Sequence, residues 1–304
     1  MRKYSLFCLF SFLFIVIVIG KIVIVAQAPI TGTWTANARE NKDGKIQLNL
    51  ERKNNNGNGK HQIGESFSYT DFEGLSAAQA QNGKVSFRLV REAGTIQCDG
   101  EFVNGKGSGT FTFTPSAGFL DAMRARGFDF AKPNGKWGDD IDISDRLFTA
   151  AALNVTTALA DDLLAANFGK LEVEDLFKAA IFKIDGKFMA EMKSTGFPDL
   201  GMEDLVKARI FKIDANYVRQ VAEMGFENRE FESLVKFRIF KVTPEFLAAL
   251  KNEGFTNLTA EEVVKFRIFN IDADFIKKAK TENPNVTVEE MVQMKIGVRR
   301  RGDN

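Results

Sequence analysis

The residues able to do chemistry are few. The chain has one histidine, His61, and two cysteines, Cys8 and Cys98. His61 falls in a polar stretch read as a loop, with no second histidine or nearby cysteine to complete a zinc site. Nor does it anchor a recognisable Ser-His-Asp set, and no glycine-rich phosphate loop stands at a strand-to-helix junction. Asp139, Asp140, Asp142 and Asp145 are spaced like the opening of a calcium loop. Asp145 and Ala151, however, stand where such a loop needs its glycine and its distal glutamate. These aspartates are expected to cap a helix and to face solvent. The chain is therefore read as a non-enzyme with no metal ligands and no cofactor.

What remains is electrostatic and apolar. Arg209, Arg238 and Arg267 recur at one position of a repeat, with Lys295 as their match in the last unit. Lys178, Lys207, Lys236 and Lys265 recur at a second position. Stacked units would align each set into a ladder, a candidate surface for a protein or an anionic envelope polymer. A structural explanation weighs more. Glu203, Asp204, Glu232, Glu261 and Glu262 stand about one turn before the lysines and can pair with them within the helix, and the arginines can bridge neighbouring units. Ladders of this kind are usually self-paired or solvated.

Near the start, Thr31-Gly32-Thr33-Trp34 places a Gly-x-Trp on a first strand. This is similar to the lipocalin signature, whose tryptophan plugs one end of a ligand-holding barrel. On that resemblance Trp34 would mark an apolar-ligand module. Ordinary core packing is the favoured alternative. Cys98 lies in an inward-facing phase and is expected to be a small core residue.

The elements that position these residues fall into two groups, α+β in separate modules. The chain has 304 residues, with 41 basic and 40 acidic side chains. A near-zero balance lacks the basic footprint of a nucleic-acid binder. Residues 1–28 read as a signal peptide: Arg2 and Lys3, an apolar run from Leu6, and Ala26-Gln27-Ala28 as a cleavage site. An uncleaved anchor is the alternative and would be the only contact with a membrane. Either way the remainder is expected to be exported, to a bacterial periplasm, cell envelope or the secreted space. With Cys8 in the signal, Cys98 has no partner for a disulfide.

Residues 29–115 alternate with period two. Ile46, Leu48 and Leu50 form one apolar phase, Val85, Phe87 and Leu89 another, with Ile96, Cys98 and Phe102, and then Phe111 and Phe113, in the next runs. Asn54–Gly59 reads as a polar loop, and Asn82-Gly83 and Asn104-Gly105 as tight hairpin turns. The expectation is a small antiparallel sandwich or barrel of six or seven meandering strands.

Residues 116–298 read as a solenoid-like array of six αα repeats of about 29 residues. The units are 116–155 (with an insertion around 131–141), 156–184, 185–213, 214–242, 243–271 and 272–298, followed by a polar tail, 299–304. Ser116, Thr156, Asp185, Asp214, Thr243 and Asp272 open the units as helix N-caps. Gly127, Asn167, Gly196, Gly225, Gly254 and Asn283 end each first helix in the left-handed conformation. Thr259 with Glu262, and Thr287 with Glu290, form capping boxes for second helices. Asn154, Asn257 and Asn285 open glycosylation tripeptides whose threonines are already assigned as caps, and Arg301-Gly302-Asp303 is an adhesion-like tripeptide in the tail.

The run Val235-Lys236-Phe237-Arg238-Ile239-Phe240-Lys241-Val242-Thr243-Pro244-Glu245-Phe246 resembles a repeat found in bacterial proteins. That repeat often lies downstream of membrane zinc peptidases of the beta-lactam sensor-transducer type. The resemblance covers residues 116–298. The peptidase is absent from this chain, since its His-Glu-x-x-His helix needs two histidines. The resemblance implies no activity. The expected role is an exported scaffold whose repeats bind a protein or anionic polymer; the alternative is a lipocalin-like carrier in the β-module.

Overall fold

The computed structural model describes residues 29–38, 44–53, 60–132, 142–226 and 230–297. The expected signal segment, the Asn54–Gly59 loop, Asp139, Asp140 and the 299–304 tail lie outside the described residues.

Seven strands come first: β1 (Ile30–Asn37), β2 (Lys45–Lys53), β3 (Lys60–Ser68), β4 (Phe72–Glu73), β5 (Gly83–Arg91), β6 (Gly94–Val103) and β7 (Lys106–Pro115). They form one antiparallel sheet in the order β3-β2-β1-β7-β6-β5-β4. The two meanders, β1 to β3 and β4 to β7, are joined where β1 pairs with β7, Trp34 opposite Gly109. β3 and β4 occupy opposite edges, yet only Tyr69–Asp71 connects them. The four steps from Ser68 to Phe72 reach about 14 Å at most, so the edges must converge there and the sheet curls into a half-barrel. Phe67 and Phe72 touch across this closure, with ring centroids 5.4 Å apart. The sheet is thus neither a two-layer sandwich nor a closed barrel.

The alternating phases face inward as read: Ile46, Leu48, Leu50, Phe87, Leu89, Ile96, Cys98, Phe102, Phe111 and Phe113 are all buried. Asn104 and Gly105 both have positive φ and make the β6–β7 turn. Asn82-Gly83 differs from expectation. It ends the longer β4–β5 loop, and the Asn82 side chain accepts from the Asn104 amide. His61 is not in a loop; it lies on β3, an edge strand whose outward side chains hide its alternation.

Helices follow: α1 (Ala117–Ala125), α2 (Ile143–Ala152), α3 (Thr157–Ala165), α4 (Val173–Phe182), α5 (Gly186–Ser194), α6 (Met202–Ile210), α7 (Ala215–Glu223), α8 (Phe231–Ile239), α9 (Pro244–Asn252), α10 (Ala260–Ile268), α11 (Ala273–Glu282) and α12 (Val288–Ile296). From α3 to α12 the contacts run mainly to the helix two further on: α3 to α5 and α5 to α7, and likewise α4 to α6, α8, α10 and α12 in succession.

All six expected N-cap residues occupy N-cap positions. Thr156, Asp185, Asp214, Thr243 and Asp272 accept an amide three residues on; Ser116 makes no such bond. Gly127, Asn167, Gly196, Gly225 and Gly254 are left-handed, but Asn283 is extended at φ −142°. Pro284 follows it, and the proline ring disfavours helical conformations in the preceding residue.

Sheet and helices share one core. α2 packs on β3, β6 and β7. Phe148, fully buried, lies parallel to Phe111 at 5.2 Å and meets Phe113 edge-on at 5.6 Å. No single helix among the described residues is long and apolar enough to cross a membrane. α2 and α3 together pass that test but are bent by 85°, and α2 is almost wholly buried against the sheet.

Candidate functional site

Trp34 is enclosed by protein. Its ring meets Phe87 at 5.3 Å and Phe102 at 5.6 Å, and its Nε1 donates to the Asp99 carbonyl at 3.2 Å. The indole lies directly on β6 and β7: a Cβ at Gly100 or at Gly107 would come within 2.7 Å of it. Those glycines make room for a core tryptophan. Cys98 is buried beside them. Burial, and then the Asp99 charge, push its thiol far above the usual range, so thiolate chemistry is suppressed. The native protein should fail to react with Ellman's reagent at pH 8 and should release one equivalent of signal from Cys98 on unfolding. Rapid native reaction would contradict this burial.

The two described aspartates of this group take separate positions. Asp142 caps α2, accepting the Ser144 amide at 3.4 Å. Asp145 is bound by Arg52, whose Nη2 donates to Oδ2 at 2.9 Å, and His61 Nδ1 lies 3.7 Å from Oδ1. The expectation that Asp145 faces solvent is corrected: it is drawn into the sheet–helix interface by the buried guanidinium of Arg52 at the end of β2. Among the described residues no group of three or more His, Cys, Asp and Glu is placed to hold a metal.

The arginine ladder is engaged within the fold. Arg209 stacks on Phe188 at 3.7 Å, Arg238 on Tyr217 at 3.6 Å and Arg267 on Phe246 at 4.6 Å; Lys295 takes the same place over Phe275 at 4.3 Å. Each arginine also donates to the carbonyl that closes the preceding even-numbered helix: Arg209 to Lys183 at 2.6 Å, Arg238 to Lys212 at 2.8 Å, Arg267 to Lys241 at 2.7 Å. A guanidinium at such a junction combines ring stacking with a charge-assisted hydrogen bond to an otherwise open helix end. Arg238→Ala is expected to cost about 1–2 kcal/mol. Urea unfolding read by circular dichroism checks this, and an unchanged midpoint would deny the staple any stabilising part.

The lysine ladder is partnered chiefly across helices. Lys178 reaches Glu203 at 2.5 Å, Lys207 reaches Glu232 at 2.9 Å and Lys265 reaches Glu289 at 3.4 Å. The expected in-helix pair of Asp204 with Lys207 is longer, at 3.7 Å, as is a further one of Asp175 with Lys178, at 3.6 Å. The hydrogen bond to Glu232 holds the Lys207 ammonium above its usual range. Lys236 is exposed.

Two further columns are not among the expected site residues. The first is apolar and exposed: Ile181, Ile210, Ile239, Ile268 and Ile296, between 42% and 55% accessible, end α4, α6, α8, α10 and α12. Its signal was an isoleucine recurring just after the arginine column. The second closes these helices in the left-handed conformation: Lys183, Lys212, Lys241 and Asn270, with φ between 50° and 55°. No protein-family profile matches the chain, and no curated protein matches it.

Proposed function

We propose that this chain is a non-enzymatic exported scaffold, and that residues 116–298 form six αα repeats presenting one continuous surface to a partner. The recurring isoleucine column supports this most strongly. An apolar side chain left about half exposed at the same place on five helices is unusual, since stacked helices tend to bury such residues. The arginines and most of the lysines serve intramolecular contacts, so the partner surface is moved from the basic ladder to the isoleucines beside it. Export rests on Arg2, Lys3 and the apolar run ending in Ala26-Gln27-Ala28. Kinship with the repeats downstream of sensor-transducer peptidases rests on Val235–Phe246. In that run Arg238 staples, Thr243 caps and Pro244 fills the first helical position, where its missing N–H costs nothing.

The full chain, immobilised and exposed to native envelope extract, should retain a defined partner. The Ile210→Asp/Ile239→Asp variant, with unchanged circular dichroism, should not. Equal retention by both, or hydrolase activity abolished by one substitution, would overturn the reading.

A further inference from the structure

The lysines that end α4, α6 and α8 are a conformational anomaly. Lys183, Lys212 and Lys241 hold φ of 55°, 53° and 52°. An L residue other than Asn or Gly is disfavoured there by its own Cβ. Asn154 and Asn270 occupy the same place in neighbouring units at φ 55° and 50°, so the backbone is served by asparagine without a charge. All three lysines are exposed, and no carboxylate among the described residues pairs with them. Each stands two residues after an exposed isoleucine. Backbone preference and an internal ion pair do not account for the lysines; a helix C-terminus favours a cation but does not demand three in a row, and three unpaired charges beside exposed isoleucines suit an external anion.

The shape of the row narrows the occupant. Each of α4, α6, α8, α10 and α12 contributes one isoleucine, so the row is a single file. Arg209, Arg238 and Arg267, already stacked and hydrogen-bonded, directly precede isoleucines in the chain, and Phe182, Phe211 and Phe240, half-buried, directly follow them. A line suits a linear chain better than a planar bilayer. Packed helices lie about 8–10 Å apart. A polyproline II segment advances about 3.1 Å per residue with three residues per turn, so one side chain per turn recurs at about 9 Å. A β-strand repeats its face at about 6.7 Å and falls out of step. Resting on the scaffold reading above, we propose that the column binds an acidic segment of another polypeptide in polyproline II conformation. An apolar residue at every third position would meet the isoleucines, and carboxylates would meet Lys183, Lys212 and Lys241.

The test titrates the full chain into a fluorescent peptide of about 15 residues, five Leu-Glu-Pro triplets, long enough to span the row, and reads anisotropy. Saturable binding is expected, weakening as salt rises. Lys183→Asn/Lys212→Asn/Lys241→Asn should weaken it at least about tenfold without lowering the thermal midpoint, because asparagine suits the left-handed turn. Ile210→Ser/Ile239→Ser should weaken it similarly, and a Leu-Lys-Pro peptide should not bind. Undiminished binding by either variant, equal binding of the Leu-Lys-Pro peptide, or no saturable binding at all would overturn the proposal. So would binding of the full chain to vesicles of anionic phospholipid through these residues without peptide binding. If an envelope partner is retained and lost on Ile210→Asp/Ile239→Asp while the peptide fails, the acidic-segment chemistry falls and the scaffold reading stands.

Discussion

Replacing Asp145 with Ala is expected to lower the unfolding free energy by about 3–5 kcal/mol, because it strands a buried guanidinium. The Arg52 side chain is only 4% exposed and that of Asp145 11%, and their contact joins the end of β2 to the first turn of α2. Arg52→Ala should cost a similar amount by stranding the carboxylate, with His61 3.7 Å away as its remaining neighbour of potential opposite charge. The pair itself need not be strongly stabilising, since desolvation offsets most of the attraction. The double variant Arg52→Met/Asp145→Leu should therefore recover most of the loss. A double-mutant cycle of Arg52→Met, Asp145→Leu and their combination, by urea unfolding, checks this. Additive losses in the double variant would show that the two side chains act independently and that the interface is held by something else.

Phe148→Ala is the second large effect, expected at about 3–5 kcal/mol. The ring is inaccessible to solvent and fills the concave side of the half-barrel, parallel to Phe111 and edge-on to Phe113 and His61. Around it α2 is packed on both sides: Leu147, Ala150 and Ala151 are also inaccessible. The vacated volume cannot collapse easily, since the sheet on one side and α2 on the other are each fixed by their own backbone hydrogen bonds. Phe148→Leu, which keeps most of the apolar volume, should cost less than half as much. A loss below about 1 kcal/mol for the alanine variant would show that the helices are not seated on the sheet through this ring.

Much of the architecture was legible because single letters carried local geometry. Asp185, Asp214, Asp272, Thr156 and Thr243, read as N-caps, accept the open amides of a helix start. Period-two alternation identified the inward face of the sheet. The failures have equally specific causes. Asn283 was overruled by its neighbour, Pro284. His61 sits on an edge strand with little buried alternation to betray it. The pairing of β1 with β7 joins residues far apart in sequence, and no local pattern announces it, so one curled sheet could not be told from a sandwich.

The candidate surface was legible only in part. The sequence shows the arginines as a column, whereas the rings beneath them lie on other helices. The signal is a fixed offset of 21 residues: Arg209, Arg238 and Arg267 follow Phe188, Tyr217 and Phe246 at that distance, whereas Ala180 follows Leu159. Lysine gives no hint of a left-handed turn, so the sequence does not announce the conformation of Lys183, Lys212 and Lys241.

The most direct measurement is site-specific photo-crosslinking in the producing cell. Benzoylphenylalanine would replace Ile239, in the exposed column, or Thr33, on the outer face of β1 as a control. The scaffold account predicts a discrete adduct at Ile239 that is absent at Thr33 and disappears in Ile210→Asp. Adducts at Thr33 alone, or none at Ile239 in a stably folded chain, would contradict it.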